Sequence, residues 1–217
     1  MLDDVSFTVS PGETVVLAGA NGAGKTTLLK ILAGLVMPAS GKVLAEGVDA
    51  FAQPIRFRTM LGYLPESAVA DPDLTVRDYL RYRARLKGEM TKKIRHRVEE
   101  ALSQCGLLES SEVPIALLSQ GLRKRTALAD AILLRPRILL LDDLLAGLDV
   151  ATRSSIGRIL AAVSSFAAIL VTGHELEEWQ PLATKYLVLK GGGVLGAKTA
   201  AGARTILNSP MITEQRG

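Results

Sequence analysis

Short aliphatic runs recur along this chain and alternate with longer amphipathic segments. A run with little polar interruption predicts a strand that is buried on both faces, which is typical of parallel sheets. Such runs occupy positions 14–18, 61–64, 137–141 and 168–172. Alternation at Val5, Phe7 and Val9 predicts a half-buried strand in front of them. Shorter apolar stretches predict a strand at 42–46 and a hairpin of 186–189 with 194–195.

Helical periodicity fills the middle of the chain. It predicts helices at 25–35 and 119–134, two more between 75 and 105, and one at 150–163. Thr75, Thr91 and Ser119 are predicted N-caps, because their hydroxyls can accept from the free N–H groups of a first helical turn. We therefore predict an α/β core with a mostly parallel sheet, a helical insertion and a tail without assigned structure. Their bounds are 1–74 with 136–200 for the core, 75–135 for the helical subdomain and 201–217 for the C-terminal tail.

Composition narrows the class of protein. With 217 residues, 48% of them apolar and only 4% aromatic, the chain suits one domain with an aliphatic core. The mean hydropathy is +0.25, yet the longest nearly apolar stretch, 159–171, falls short of the roughly 20 residues of a membrane-spanning helix. The N-terminus lacks the regions of a secretory signal, and the single cysteine, Cys105, fits a core position in a reducing compartment. We expect a cytoplasmic protein.

The net charge of +4 has a local origin. Nine lysines and arginines lie between positions 77 and 97, and within that segment only Asp78 and Glu89 oppose them. Such a segment can bind nucleic acid or an anionic membrane face, or it can be the solvated face of a helix. We favour the solvated face, because Tyr79 and Tyr82 are too few aromatics for base stacking. Nucleic acid is therefore not an expected partner.

The segment that follows the run at 14–18 has the sequence of a phosphate-binding loop. It reads Gly19-Ala20-Asn21-Gly22-Ala23-Gly24-Lys25-Thr26-Thr27. Glycines let consecutive N–H groups point at a polyphosphate, and the helix that follows adds its positive end. Lys25 supplies a charge for the β and γ phosphates, and the Thr26 hydroxyl can bind Mg²⁺. Asp142, which ends the run at 137–141, supplies a carboxylate for the same metal.

A second motif links this loop to a known family. Leu118-Ser119-Gln120-Gly121-Leu122 resembles the LSGGQ signature of ABC ATPases and lies shortly before the strand that ends at Asp142. The resemblance covers nearly the whole chain. It implies a P-loop NTPase core with a mostly parallel sheet, an N-terminal antiparallel β portion and a helical insertion subdomain. It also implies ATP and Mg²⁺ as cofactors, with two ATP molecules held between two subunits and each phosphate loop facing the signature of the other subunit.

Other landmarks of the family follow in order along the chain. Residues 62–66 resemble the Q-loop, with Glu66 where most members have glutamine and with an oxygen that can approach the metal. Residues 146–149 resemble the D-loop, whose Asp149 would contact the other subunit. His174 matches the switch histidine that reaches the γ-phosphate. The resemblance therefore places His174 and Glu66 in the catalytic machinery.

The chain departs from the family pattern at several positions. Asp143 stands where the family has the glutamate that polarises the attacking water, and the shorter side chain draws the carboxylate back by roughly 1.5 Å. A misplacement of about 1 Å can cost on the order of 10²-fold in rate, so we expect slow hydrolysis. Gln120 and Leu122 replace a glycine and a glutamine of the signature. Because no tyrosine precedes Tyr63 to stack on adenine, we expect either a further strand upstream or a loosely held base.

The resemblance implies the ATP-binding, ATP-hydrolysing subunit of an ABC transporter. Such a subunit forms a homodimer or heterodimer and drives a separate transmembrane permease subunit from the cytoplasmic face of the membrane. The segments 62–66 and 119–125 favour an exporter-like branch. Two alternatives stay open: a catalytically weak regulatory module, suggested by Asp143 and Leu122, and a soluble ABC ATPase that acts on ribosomes or nucleic acid, suggested by the basic segment. Relatives of the last kind generally carry two cassettes or long coiled insertions.

Overall fold

A computed structural model describes residues 2–67 and 71–209. The strands in this part of the chain are β1 (Thr14–Gly19), β2 (Leu44–Ala45), β3 (Val48–Asp49), β4 (Leu61–Leu64), β5 (Ile138–Leu141), β6 (Ala168–Thr172), β7 (Lys185–Lys190) and β8 (Gly193–Ala197). The α-helices are α1 (Lys25–Leu32), α2 (Pro54–Thr59), α3 (Val76–Leu86), α4 (Thr91–Gln104), α5 (Gln120–Ile132), α6 (Val150–Ser164) and α7 (Ala200–Asn208). Single 3₁₀ turns occur at Ile115–Leu117 and Leu176–Trp179.

Six of the strands form one sheet in the order β4-β5-β6-β1-β7-β8. The strands β4, β5, β6, β1 and β7 are parallel, and β8 closes the edge as the antiparallel arm of the predicted hairpin. The short strands β2 and β3 form a separate antiparallel pair. Parallel strands bring their carboxyl ends to one edge, so the residues that follow β1, β4, β5 and β6 lie at the same edge of the sheet.

Both faces of the sheet are covered, which explains why its strands show no polar alternation. Val15 and Leu17 of β1 pack in a cluster with Leu29 of α1. Val16, the residue between them, belongs to a second cluster on the opposite face, which includes Ile156 of α6 and residues of α3, α4 and α5. Because successive side chains of a strand point to opposite faces, one aliphatic strand serves both layers. The predicted α/β core with a mostly parallel sheet is therefore confirmed.

The strand predicted at 5–9 is wrong, although the alternation that suggested it is present in the structure. Val5, Phe7 and Val9 are half-buried, whereas Ser6 and Thr8 are exposed. No described strand pairs with these residues. An alternating pattern shows which side chains face the core, but it does not supply a neighbouring strand to complete the hydrogen bonds.

The helix ends differ in part from the predicted ones. Thr75 and Ser119 are N-caps as predicted: their hydroxyls accept from the N–H groups of Asp78 at 3.1 Å and Leu122 at 3.3 Å. The prediction for Thr91 is wrong, because Thr91 is the first residue of α4 and no side chain caps that helix. The predictions also left out α2 and the helix α7 beyond position 200. None of the helices in the described ranges is long and apolar enough to cross a bilayer.

Just over half of the cations in the basic segment 77–97 are paired with carboxylates, most of which come from outside the segment. Five of its nine cations form ion pairs, and several of these pairs join α3 to α4 or α5. The pairs are Arg77 with Glu99 and Glu112, Arg81 with Asp78, Arg83 and Lys87 with Asp130, and Arg97 with Glu89 and Glu100. These contacts support the interpretation of the segment as solvated helix faces.

Gly62 of β4 lies close against the backbone of helix α5. A Cβ atom there would lie 2.3 Å from the main-chain oxygen of Ala131 in α5 and 2.9 Å from Cδ1 of Leu139. Because the Ala131 oxygen belongs to a helix backbone, it cannot rotate away. We expect Gly62→Ala to lower the free energy of unfolding by about 3 kcal/mol, measured by urea denaturation.

The matched control for this prediction is Gly196→Ala in β8. A Cβ atom at Gly196 would meet nothing within 4 Å, so we expect a change of less than about 1 kcal/mol. Equal losses in the two variants would contradict the close packing of β4 against α5.

Candidate nucleotide-binding site

Residues 20–24 connect β1 to α1 and form the predicted phosphate loop. Gly22 and Gly24 have φ angles of 77° and 103°, a region that side chains with a Cβ atom rarely adopt. Gly24 directly precedes α1, so the loop ends at the N-terminus of that helix. Gly19 is favoured for a different reason, which is space. A Cβ atom at this position would lie 3.0 Å from the main-chain oxygen of Leu189 in β7. The segment thus combines glycine-dependent backbone turns with the positive end of a helix, as an anion site requires.

The Lys25 side chain folds back over the loop. It is 9% exposed, and its Nζ donates to the main-chain oxygens of Gly19 at 2.8 Å and Ala20 at 3.1 Å. Burial lowers the pKa of Lys25, and the charges of Asp143 and Asp142 act in the opposite direction. The ammonium group is therefore close to both the loop and the two carboxylates that follow β5.

Asp142 lies at the carboxyl end of β5 and is 2% exposed. Its Oδ1 accepts a hydrogen bond from the Thr172 hydroxyl at 2.7 Å, whereas Oδ2 is buried and has no partner among the described residues. A buried carboxylate oxygen without a donor is suited to a cation or to a water of its shell.

Asp142 and Thr26 offer a carboxylate and a hydroxyl, which fit a magnesium ion that binds together with a nucleotide. No group of three or more histidine, cysteine or acidic side chains that could hold a metal occurs within 2–67 and 71–209. Magnesium needs no such cage, because it binds to one or two carboxylates, its own waters and the phosphates of a substrate. The half-buried Thr26, at the start of α1, adds the hydroxyl that the sequence predicted.

Asp143 has an unusual backbone conformation, with φ at 49°. Its N–H donates to the Thr172 hydroxyl at 2.9 Å, and its main-chain oxygen accepts from Nζ of Lys124 at 3.3 Å. Aspartate tolerates this left-handed region better than most residues do. Since both contacts use the main chain, the carboxylate of Asp143 does not take part in them.

Glu66 and His174 lie beyond the ends of β4 and β6, at the same edge of the sheet, and both are exposed. His174 follows Gly173, whose lack of a side chain leaves room for Trp179: a Cβ atom would lie 2.5 Å from the indole Nε1. Glu66 lines an open groove of about 430 Å³ together with Gln120 and Lys124 of α5. The strands β1, β4, β5 and β6 all end at this edge, so the predicted site residues that follow them lie on one side of the molecule.

The signature segment and the D-loop meet each other near the start of α5. A Cβ atom at Gly147 would lie 2.9 Å from Nε2 of Gln120, and one at Gly121 would lie 3.1 Å from the Thr152 side chain. Asp149 caps α6 by accepting from the Thr152 N–H at 2.9 Å and from its hydroxyl at 2.7 Å. Leu118 is buried, while Ser119 and Gln120 are exposed.

Comparisons with known proteins identify the family of this chain. Residues 2–146 match the family described as ABC transporter. The chain belongs to this family. One relative is YxlF of Bacillus subtilis (strain 168), which is named an uncharacterized ABC transporter ATP-binding protein. It is 32% identical to this chain over 191 residues. That alignment covers 88% of this chain and 63% of YxlF.

Two further members of the ABC family extend the comparison. The ABC transporter ATP-binding protein NatA of Bacillus subtilis (strain 168) is 33% identical over 196 residues, which cover 88% of this chain and 79% of NatA. A solved dimeric structure of the ATP-binding cassette MJ0796, in a post-hydrolysis state with ADP and Pi, has a TM-score of 0.81 at 25% identity. The structural alignment covers 91% of this chain and 90% of the MJ0796 chain. The chain spans less than two thirds of the length of YxlF.

Sequence reasoning missed two residues that contact the aspartates after β5, Thr172 and Lys124. Thr172 links Asp142 to Asp143 through a single hydroxyl, which donates to one residue and accepts from the other. A signal was present, because a polar side chain ends the otherwise aliphatic run of β6 at the edge where ligands bind. Lys124 gave no comparable signal, because a lysine on a helix is ordinarily a surface residue.

Proposed function

We propose that this chain binds and hydrolyses ATP as the nucleotide-binding subunit of an ABC transporter. The observation that carries the proposal is the convergence of three features at one edge of the sheet: the loop 20–24, the buried ammonium of Lys25, and the buried Oδ2 of Asp142, which has no hydrogen-bond partner within 2–67 and 71–209. An anion-binding loop, a cation and a free carboxylate oxygen are what a triphosphate with magnesium requires. The family of the chain supports ATP as the nucleotide.

Each site residue has a distinct role in this proposal. Lys25 and the loop amides hold the β and γ phosphates, and Thr26, Asp142 and Glu66 are the residues that would hold Mg²⁺. When bound, the metal neutralises phosphate charge. Asp143 accepts a hydrogen bond from the attacking water and orients it toward the γ-phosphate. His174 contacts that phosphate from the end of β6, with Gly173 and Trp179 fixing where its backbone runs.

We further propose that ATP closes a dimer in which the signature of one subunit covers the phosphate loop of the other. The helix α5 presents its capped N-terminus, with Ser119 and Gln120 exposed. Two large apolar side chains next to these motifs are also exposed, Leu117 by 75% and Val150 by 81%, which suits a surface that a partner covers. The structural neighbour MJ0796 is a dimer.

A separate transmembrane permease subunit is the proposed membrane partner. The groove lined by Glu66, Gln120 and Lys124 is open to solvent and lies beside the predicted catalytic edge, so cytoplasmic helices of a permease could bind there. Such a complex would place this chain on the cytoplasmic face of the membrane. The exporter-like assignment, based on 62–66 and 119–125, stays a prediction. The matched charges of α3 and α4 favour this partner over nucleic acid.

A second candidate function is a regulatory nucleotide-binding module with little turnover. Asp143 favours it, because the shorter carboxylate lies farther from the reacting water than a glutamate would. Single-turnover measurement of phosphate release, made alongside the ATP affinity, separates the two functions. Tight binding without phosphate release would identify the regulatory module, whereas slow but complete release would identify the ATPase.

The substitution Asp143→Glu tests the assignment of this position. The longer side chain restores about 1.5 Å of reach, while the left-handed backbone at 143 suits glutamate less well than aspartate. We therefore expect the steady-state rate of ATP hydrolysis to rise by about tenfold, less than the roughly 10²-fold that geometry alone would give.

Asp73→Glu, in an exposed turn, makes the same change at a carboxylate that has no role in the proposed site, and it should leave the hydrolysis rate unchanged. If Asp143→Glu also leaves that rate unchanged, Asp143 does not occupy the position of the water-activating carboxylate.

A further inference from the structure

Two buried polar atoms at this end of the sheet have no hydrogen-bond partner among the residues that the structure describes. They are the hydroxyl of Tyr63 and Oδ2 of Asp142. The first can donate one hydrogen bond, and the second can only accept. Buried polar groups in native proteins are almost always satisfied, so two unsatisfied atoms in one region indicate a water, an ion or a ligand that completes them.

The sheet register places the two side chains on the same face. Tyr63 of β4 lies directly opposite Leu140 of β5. The ladder continues past β5, because the N–H of Asp142 donates to the main-chain oxygen of Leu64 at 2.9 Å. Asp142 follows Leu140 by two residues and therefore shares its face, which makes Asp142 the diagonal neighbour of Tyr63. Such neighbours are within reach of a long aromatic side chain.

The surroundings of Tyr63 agree with this placement. Its ring packs against the apolar cluster beneath α1, which includes Leu140 and Leu29. Burial and the charge of Asp142 raise the pKa of Tyr63, so the phenol keeps its proton at neutral pH, and its neutral oxygen can accept a hydrogen bond from a water. The hydroxyl and Oδ2 are not bonded to each other, so a small bridging group is needed to satisfy both.

Hydrated magnesium supplies such a group, because the ion usually keeps several of its waters when it binds to a protein. We propose that the Tyr63 hydroxyl and the free oxygen of Asp142 share the water shell of the bound magnesium ion, so that Tyr63 is a positioning residue for the metal-binding carboxylate. The inference rests on the proposed function, since the metal arrives with ATP. Tyr63 acts through Asp142 and touches neither the nucleotide nor the reacting water.

The substitution Tyr63→Phe tests this role, because it removes only the hydroxyl. Isothermal titration calorimetry would measure ATP affinity over a series of Mg²⁺ concentrations and again in excess EDTA. We expect the Mg²⁺ concentration at half effect to rise about tenfold, as for other residues that orient a metal ligand. Affinity in EDTA should not change. The melting temperature of the protein without nucleotide should stay the same or rise, because an unpaired buried hydroxyl is removed.

The matched control is Tyr186→Phe, which removes a buried hydroxyl that does have a partner. The Tyr186 hydroxyl donates to the main-chain oxygen of Leu176 at 3.3 Å. We expect this variant to have a lower melting temperature and an unchanged dependence on Mg²⁺. The opposite pattern in Tyr63→Phe distinguishes a role in metal positioning from a role in folding.

Two results would overturn the inference alone: a Tyr63→Phe variant with the wild-type dependence on Mg²⁺, or one that loses as much thermal stability as Tyr186→Phe. A wild-type protein whose ATP binding does not depend on Mg²⁺ would overturn the proposed function as well. The two failures are therefore distinguishable in the same set of titrations.

Discussion

Lys25→Ala is expected to abolish ATP-dependent dimerisation and to weaken ATP binding by about 10²-fold or more. The estimate corresponds to two charge-assisted hydrogen bonds to phosphate, each contributing about 1.5–3 kcal/mol. The variant also removes the side chain that ties the loop together through the main-chain oxygens of Gly19 and Ala20. Size-exclusion chromatography with and without ATP measures the dimer, and titration calorimetry measures the affinity.

The control for this variant lies on the same helix. Lys30→Ala removes an exposed lysine of α1 and should leave both the dimer and the ATP affinity unchanged. Lys25→Met keeps most of the apolar stem of the side chain, so it separates loss of charge from loss of packing. If Lys25→Met still dimerises with ATP, the ammonium group does not bind the phosphates and the proposed site is wrong.

Asp143→Asn is expected to reduce ATP hydrolysis by about 10²-fold or more while ATP binding is preserved. The amide has nearly the shape of the carboxylate, and asparagine accepts the left-handed backbone at 143 as readily as aspartate does. The contacts of residue 143 with Thr172 and Lys124 use its main chain and are therefore retained. The substitution removes the negative charge that faces Lys25 and the ability to accept a proton from water. Because hydrolysis reopens the proposed dimer, the ATP-bound dimer should persist.

The variant Asp142→Asn, at the neighbouring position, is expected to have a different phenotype from Asp143→Asn. It removes charge from the buried carboxylate with the free oxygen, so we expect weaker Mg²⁺-dependent ATP binding rather than slow turnover of a bound complex. Phosphate release after rapid mixing, together with chromatography of the ATP-bound species, separates the two phenotypes. Normal turnover in Asp143→Asn would show that another group activates the water.

The structure also shows which carboxylates pair with the basic residues of 77–97. Their carboxylate partners include Glu99 and Asp130, which lie on α4 and α5, whereas the paired Arg77 and Arg83 lie on α3. A local excess of positive charge in the sequence is therefore compatible with helix faces that are matched in three dimensions. Charge counted along a segment cannot show this, because ion pairs depend on which helices pack together.

The sequence by itself determined the parts of this protein that depend on local chemistry. Aliphatic runs such as 138–141 predict buried strands because burial on both faces tolerates no polar alternation. The glycines and Lys25 of the phosphate loop predict an anion site because backbone freedom and charge are properties of the residues themselves. Ser119 predicts the start of α5 because a cap acts within one helical turn.

Only the tertiary structure decided which side chains and backbone groups contact each other across the sheet. The hydroxyl of Thr172 meets the carboxylate of Asp142 from 30 residues away, and no local pattern records that contact. The same holds for Gly62, whose backbone touches α5, and for 5–9, where the alternation is present but no described strand pairs with it. Contacts of this kind depend on strand order and register, which are set by the packing of the whole chain and not by its neighbouring residues.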